Sequence, residues 1–374
     1  MPVPRSLYLH LPFCAARCPY CDFAISTAKP SEGYADALRS EIRDWGKRLD
    51  RPGLSTLHLG GGTPSRMPLP LLTAILDEVR ASFRISRDAE VAIECNPSDA
   101  GAFAAFPALG INRLSLGAQS FDDRELGWLG RDHDAGRILL SAAAAREAGI
   151  RNLSLDLIYG LPGQDLNGWK RTMACALALR PEHLSVYALT LTGAKRLPGP
   201  PCPGEEVQAA MAMAAIRTLE KAGLKQYEIS NFAKPGFESR HNLAYWTFQP
   251  YLGLGVSAHS YLPPRRFANV AQTPEYVARI RDGKGAQGFE EVLDAQKQAL
   301  ERLFLGLRLT AGLEPAWLPA EAGEEVEALK KEKLLVRRRG RWALTPKGRI
   351  VADAVTARLV RCLPESKELQ RVGA

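Results

Sequence analysis

A chain of 374 residues, 46% hydrophobic and 24% charged, can bury a sizeable core and fits about two or three domains, or one barrel with an appendage. No run of about eighteen apolar residues appears, and the start Met1-Pro2-Val3-Pro4-Arg5-Ser6 lacks the apolar stretch of a secretory signal, which excludes an evident membrane span and points to a cytoplasmic protein. Seven cysteines, three crowded into one short loop while Cys95, Cys175, Cys202 and Cys362 stand apart, exclude a disulfide framework; the net charge is +8, with much of the excess between Lys330 and Arg349.

Short apolar strands alternate with longer amphipathic helices from residue 7 to about residue 230. Strands are predicted at 7–10, 55–59, 89–94, 112–117, 152–158 and 183–187, and helices at 32–49, 68–83, 134–148, 165–179 and 204–223. Gly149 and Gly223 fall where helix C-caps belong. Such alternation implies a parallel sheet with right-handed crossovers, either open and doubly wound or an incomplete barrel. Polar or glycine-rich signatures follow five successive strands: the cysteine loop, Gly60-Gly61-Gly62-Thr63-Pro64, Glu94, Gln119 and Leu161-Pro162-Gly163-Gln164. Strand ends that all carry such residues are expected to meet at one cavity, as at the top of a β/α barrel. After Leu262-Pro263-Pro264 the pattern changes to a helix at 293–307, a second at 324–335, a basic turn, Trp342-Ala343-Leu344-Thr345 and a last helix. The expected fold is α/β, a partial (β/α)6 barrel with a small winged-helix-like α+β domain at the C-terminal end. Its expected boundaries are 1–230 for the barrel, 231–289 for a segment that carries His241-Asn242-Leu243-Ala244-Tyr245-Trp246 and connects the two, and 290–374 for the small domain.

The loop Cys14-x-x-x-Cys18-x-x-Cys21 brings three thiols together. At this spacing they can wrap around one iron-sulfur cubane, each binding one iron, with the fourth iron left open. A zinc site completed by His10 or a distant residue is the alternative, although zinc sites favour paired cysteines with a second pair further on. The glycine triplet can be a tight strand-to-helix turn; it has neither the spacing of a dinucleotide fold nor the Lys-Ser/Thr of a P-loop.

The stretch Tyr8-Leu9-His10-Leu11-Pro12-Phe13-Cys14-Ala15-Ala16-Arg17-Cys18-Pro19-Tyr20-Cys21-Asp22-Phe23 closely resembles the cluster loop of the radical S-adenosylmethionine superfamily. The branch it resembles is the one shared by oxygen-independent coproporphyrinogen III dehydrogenases and HemW heme chaperones. The resemblance continues through Leu57–Pro64, Ile93–Pro97, Leu114–Phe121 and Asp156–Gln164 and covers nearly the whole chain. It implies a [4Fe-4S] cluster on Cys14, Cys18 and Cys21, with S-adenosylmethionine chelating the fourth iron. It also implies a cofactor site lined by Tyr8, Tyr20, Gly61, Gly62, Thr63, Glu94, Gln119, Arg131 and Asp156. The residue types suit these roles: carboxylates accept from hydroxyl and ammonium groups, Arg131 can clamp a carboxylate, and glycines let the backbone approach a ligand. The chemistry so implied is one-electron reduction of the sulfonium to methionine and a 5′-deoxyadenosyl radical, which belongs to the cofactor. No side chain stands out as a catalytic acid or base.

Three features separate the two members of that branch. The dehydrogenases carry a fourth cysteine where Phe23 stands, and Cys14 comes too early to leave room for their N-terminal arm. His241-Asn242-Leu243-Ala244-Tyr245-Trp246 matches the HNxxYW signature associated with the heme chaperones. The function expected is therefore binding of heme and its delivery to apo-hemoprotein acceptors, with coproporphyrinogen III dehydrogenase activity as the alternative. His241 is the expected axial ligand or close determinant of bound heme, with Tyr245 and Trp246 packing on the macrocycle; a loop closed over the barrel is the other reading. His259 is a helper to that site, His10 a hydrogen-bond donor behind the cluster or a satisfied barrel residue, and His58, His133 and His183 read as structural. The basic stretch can attract nucleic acid, anionic lipid or an acidic protein. The helix from Glu324 to Lys333, acidic at its start and basic at its end, matches its own dipole rather than a base-reading helix. That argues against a nucleic-acid partner and leaves peripheral membrane contact open.

Overall fold

The computed structural model describes residues 3–193 and 195–363; Met1, Pro2 and residues 364–374 of the expected small domain lie outside them. The alternation begins with β1 (Ser6–Leu11), α1 (Glu32–Arg48), β2 (Gly53–Gly61), α2 (Leu69–Ser82), β3 (Arg84–Cys95) and β4 (Arg113–Gln119). It continues with a short α3 (Asp123–Trp128), α4 (Ala135–Glu147), β5 (Asn152–Tyr159), α5 (Leu166–Ala178), β6 (His183–Ala188) and α6 (Glu205–Lys221). Side chains satisfy the open N–H groups where helices start: Ser31 accepts from Tyr34, Asp134 from Arg137 and Asp165 from Gly168.

The six strands β1 to β6 lie side by side in sequence order and all parallel. A doubly wound sheet needs a point where the order reverses, and these six have none. Right-handed crossovers taken in unbroken order place the helices on one face, the winding of an incomplete barrel. Strand periodicity then divides the side chains. In β5, Leu153, Leu155 and Leu157 are fully buried in the main apolar core, which also takes in Leu38, Ile42, Ile75 and Val79, whereas Ser154 and Asp156 face the other side.

The segment expected to connect the two domains carries strands. Beyond β6, β7 (Lys225–Gln226) and β8 (Asn231–Ala233) add antiparallel, followed by α7 (Arg240–Trp246). At the opposite edge β9 (Tyr251–Leu254) pairs parallel with β1, and β10 (His259–Leu262), β11 (Arg265–Asn269) and, after α8 (Thr273–Arg281), β12 (Gln287–Val292) continue antiparallel. The result is one 12-stranded sheet. These added strands are short, and β11 and β12 carry ion-pairing residues such as Arg265 and Glu290, so their two-residue period is weak in the sequence.

The small C-terminal unit comprises α9 (Ala295–Arg308), α10 (Gly323–Lys331), the hairpin β13 (Leu335–Arg338) and β14 (Arg341–Leu344), α11 (Pro346–Ile350) and α12 (Ala352–Val360). It encloses its own apolar cluster, including Leu303, Leu307, Leu329, Leu335, Leu344 and Leu359. Carboxylates interleave its basic residues: Lys330 pairs with Glu327, Arg341 with Glu314 and Arg358 with Glu332. Lys330 and Arg337 also lie over the Trp342 ring at 5.9 and 5.8 Å. Among the described residues no helix is long and apolar enough to cross a membrane.

Candidate functional site

The C-terminal ends of β1 to β6 surround a cavity of about 420 Å3. The loop after β1 brings Cys14, Cys18, Tyr20 and Cys21; the turn after β2 brings Gly61, Gly62 and Thr63; β3, β4 and β5 bring Glu94, Gln119 and Asp156. Arg131 reaches the same cavity from the loop after α3. The cysteine loop is held by backbone bonds: the Cys14 N–H donates to Ser26 at 2.9 Å, Ser26 to Pro12 at 2.8 Å and Cys21 to Cys18 at 3.1 Å. Thr63 Oγ1 lies 3.4 Å from the Cys14 sulfur, and the Lys195 ammonium donates to the Cys21 carbonyl at 3.1 Å. Burial raises the Cys14 and Cys21 thiols, and neighbouring thiols add to the effect.

The glycine triplet has a role the sequence did not disclose. A Cβ on Gly61, whose φ is +118°, would meet the His10 ring at 2.8 Å; on Gly62 it would meet the Pro12 carbonyl oxygen at 2.5 Å and the Cys14 sulfur at 2.9 Å. The protein's own β1 and cysteine loop therefore occupy the space that side chains on these two glycines would take, before any ligand does.

Polar groups converge on the remaining wall. Glu94 accepts from the Gly61 N–H at 3.1 Å with one oxygen and meets His58 Nε2 at 3.0 Å with the other. Asp156 accepts from the Ser115 hydroxyl at 3.0 Å. Burial pushes its carboxyl up to about 6, with the Ser185 hydroxyl opposing and the Glu94 charge adding. Arg131 donates to the Gly117 carbonyl at 3.1 Å and reaches the Tyr20 hydroxyl at 3.5 Å and the Cys18 sulfur at 3.7 Å, while its buried Nε has no partner. Gln119 holds a φ of +65° beside a break in the β4–β5 register, a costly backbone state that persists where surroundings enforce it.

A second cavity, of about 600 Å3, lies across the same loop and shares Asp22 and Phe23 with the first. Tyr245, Phe248, Tyr251, Tyr261, Phe304 and Leu305 line it, together with His10, His259, Arg266 and Glu301. Ala24 at its edge accepts from His10 Nε2 at 2.8 Å; that nitrogen carries the proton, so Nδ1 accepts from the Tyr8 hydroxyl at 3.0 Å. The shared wall is further fixed by Asp22, which pairs with Lys195 and accepts from the Thr192 hydroxyl at 2.9 Å.

A family model described as the Radical SAM superfamily matches residues 8–176. The heme chaperone HemW of Bacillus subtilis is 36% identical over 339 residues, which span 87% of this chain and 89% of that protein. The heme chaperone HemW of Mycobacterium tuberculosis is 37% identical over 372 residues, 96% of this chain and 95% of that protein. The chain belongs to the HemW family of the radical SAM superfamily. Coproporphyrinogen III oxidase HemN from Escherichia coli, a radical SAM enzyme, superposes with a TM-score of 0.82 over 97% of this chain and 91% of its own at 24% identity, which shows a shared fold.

In this HemW-family chain two residues expected at ligand sites stand elsewhere. Tyr8 does not line the cysteine cavity; its ring turns toward His10 and His58 and borders the aromatic cavity. His241 lines neither. It is 1% exposed, with Nδ1 at 2.8 Å from the Thr56 hydroxyl and Nε2 at 2.7 Å from the Tyr245 hydroxyl. In this arrangement neither ring nitrogen has a lone pair or proton to spare for an external ligand. The ring stacks on His58 at 5.0 Å, so Glu94, His58, His241 and Tyr245 form a polar column from one cavity to the other. The lining residues Tyr251, Tyr261 and Arg266 lie on β9, β10 and β11 and have no motif of their own; the aromatic density from Tyr245 to Tyr261 was the one available signal.

Proposed function

We propose that this chain binds heme and passes it to apo-hemoproteins, and that its cysteine cavity holds a [4Fe-4S] cluster and S-adenosylmethionine. Membership of the radical SAM superfamily implies the latter two, and full-length relatives named heme chaperones support the former. The observation that carries the reading is the pairing of a thiol-lined cavity with an aromatic one across the wall Asp22–Phe23.

The donor set fits the cluster. Cys14, Cys18 and Cys21 all line one cavity, with Cys95 buried beside them and, among the described residues, no histidine on its wall. A structural zinc site wants four protein ligands, whereas a cubane takes each thiolate on a different iron, and three thiols around a cavity suit it. For the second cofactor, Arg131 with its unpartnered Nε would hold a carboxylate, while Glu94, Gln119 and Asp156 would take hydroxyl or ammonium groups. When bound, the pair supplies one-electron reductive chemistry at a sulfonium. The chain's own residues orient these groups, and the His10–Ala24 and Lys195–Cys21 bonds keep the loop closed between the cavities.

Gly62→Ala should lose most of its iron after anaerobic reconstitution, because the added Cβ drives into the Pro12 carbonyl and the Cys14 sulfur. Iron and sulfide analysis checks this beside a circular-dichroism spectrum; a folded variant with a full complement of iron would contradict it.

The function itself is tested by titrating the anaerobically reconstituted protein with hemin and following transfer to apomyoglobin by absorption. In parallel, coproporphyrinogen III is incubated with protein, S-adenosylmethionine and a reductant. Hemin binding with transfer supports the reading; turnover to protoporphyrinogen IX, or no hemin binding, refutes it.

A further inference from the structure

We infer that the aromatic cavity is the seat of heme in this chain and that His259, not His241, supplies the axial ligand. The assignment rests on the heme-binding reading above and adds the site and the ligand.

The chain has six histidines. A ligand to heme iron needs an imidazole nitrogen with an available lone pair on a cavity that admits the macrocycle. His10, His183 and His241 each have both ring nitrogens in hydrogen bonds within the protein. His58 gives Nε2 to Glu94 and buries Nδ1 beneath its neighbours; His133 is buried, with Nε2 on the Ala118 carbonyl at 3.4 Å. His259 differs in every respect. It opens β10 at the 600 Å3 cavity, the residue is partly open to solvent, and no described residue bonds either nitrogen. Partial burial and the Arg266 guanidinium lower the imidazole from its ordinary value, which favours the neutral ring that ligation needs.

The rest of the cavity suits a flat apolar ring with a polar edge. Tyr245 and Tyr251 meet edge to face at 4.5 Å, and Phe248 packs on Tyr261 at 4.5 Å, giving broad aromatic walls. Tyr261 is 1% exposed, yet its buried hydroxyl has no partner, a donor left for a ligand group. Arg266 stands on the same wall in a bidentate pair with Glu301, an ion pair that would have to open for Arg266 to take a propionate. Phe248 and Ser257, both lining the cavity, hold positive φ values of 56° and 58°. Ligation forms one bond from the imidazole nitrogen to ferric iron and displaces a water or hydroxide, with no change in redox state.

The test is anaerobic hemin titration of the wild type, His259→Ala, His259→Met and His241→Ala, followed in the Soret and visible bands, with circular dichroism for folding. His259→Ala should weaken hemin binding by about tenfold or more and lose the histidine-ligated spectrum, with added imidazole restoring it. His259→Met should shift the bands to those of thioether ligation, and folded His241→Ala should keep the wild-type ligation. All four should keep the iron-sulfur absorption. An unchanged spectrum and affinity in His259→Ala, or loss of the signature in folded His241→Ala alone, would overturn the ligand assignment while leaving heme binding intact. A wild type that binds no hemin would overturn the heme reading and this assignment with it.

Discussion

Cys14→Ala, Cys18→Ala and Cys21→Ala should each abolish the iron-sulfur chromophore of a protein that otherwise carries about four irons per chain. Each thiol supplies one of three ligands, and no nearby group can stand in. Cys95, the fourth thiol on that cavity, is 5% exposed, with its sulfur 3.8 Å from the Ile93 carbonyl, and burial pushes it well above the usual thiol range. The variants should still fold, because the loop is held by backbone bonds such as Cys14 to Ser26 and Thr63 to Phe13 rather than by sulfur. Iron analysis and absorption in the charge-transfer region after anaerobic reconstitution decide the matter. A wild type that binds stoichiometric zinc and stays colourless, or a single variant that retains full iron, would sink the assignment.

The largest expected effect on stability comes from a residue far from the thiols. Glu41 of α1 is 4% exposed and accepts from the Gly255 N–H at 2.8 Å, Asn269 Nδ2 at 2.7 Å and the Tyr276 hydroxyl at 2.7 Å. It thereby ties the first β/α unit to the β9–β11 edge that carries His259. Burial pushes its carboxyl up to about 7 from an ordinary value of 4.5, with the three hydrogen bonds opposing. A raised carboxyl favours the folded state only while protonated. This contribution is whole below about pH 4.5 and is lost as pH rises through about 7, a change of about 3 kcal/mol at most. Glu41→Gln has no proton to lose and should flatten that part of the pH profile of denaturant unfolding. Glu41→Ala leaves three buried donors unmatched and should cost about 2–4 kcal/mol at about pH 4.5, less as pH rises toward 7. A Glu41→Gln profile parallel to the wild type between pH 4.5 and 7 would show that Glu41 does not titrate in this window.

Elements whose signals are local were legible in the sequence. The six barrel strands and their helices stand within a few residues of where apolar periodicity and caps placed them, because each pattern is written into consecutive residues and reinforced by an adjacent cap such as Asp134 or Asp165. The cysteine loop and the polar strand ends were legible for the same reason: the order of a β/α chain brings every strand's C-terminal end to one rim. The sequence by itself thus determined the barrel, the cysteine cavity and, through its motifs, the family.

Tertiary structure decided what depends on residues far apart in the chain. Strands of three to six residues such as β8 to β12 have too little sequence to show a period and exist because β1 and β6 offer open edges. The purpose of Gly62 depends on Pro12 and Cys14 arriving from another strand. The two histidines show this most clearly. His241 sits in the motif, but Thr56, 185 positions away, and Tyr245 take both its nitrogens. His259, outside the motif and read from the sequence only as a helper, is placed by the fold on the aromatic cavity. A motif specifies which side chain is present; which of its lone pairs remains available is set by whatever packs against it, and that is a property of the folded chain alone.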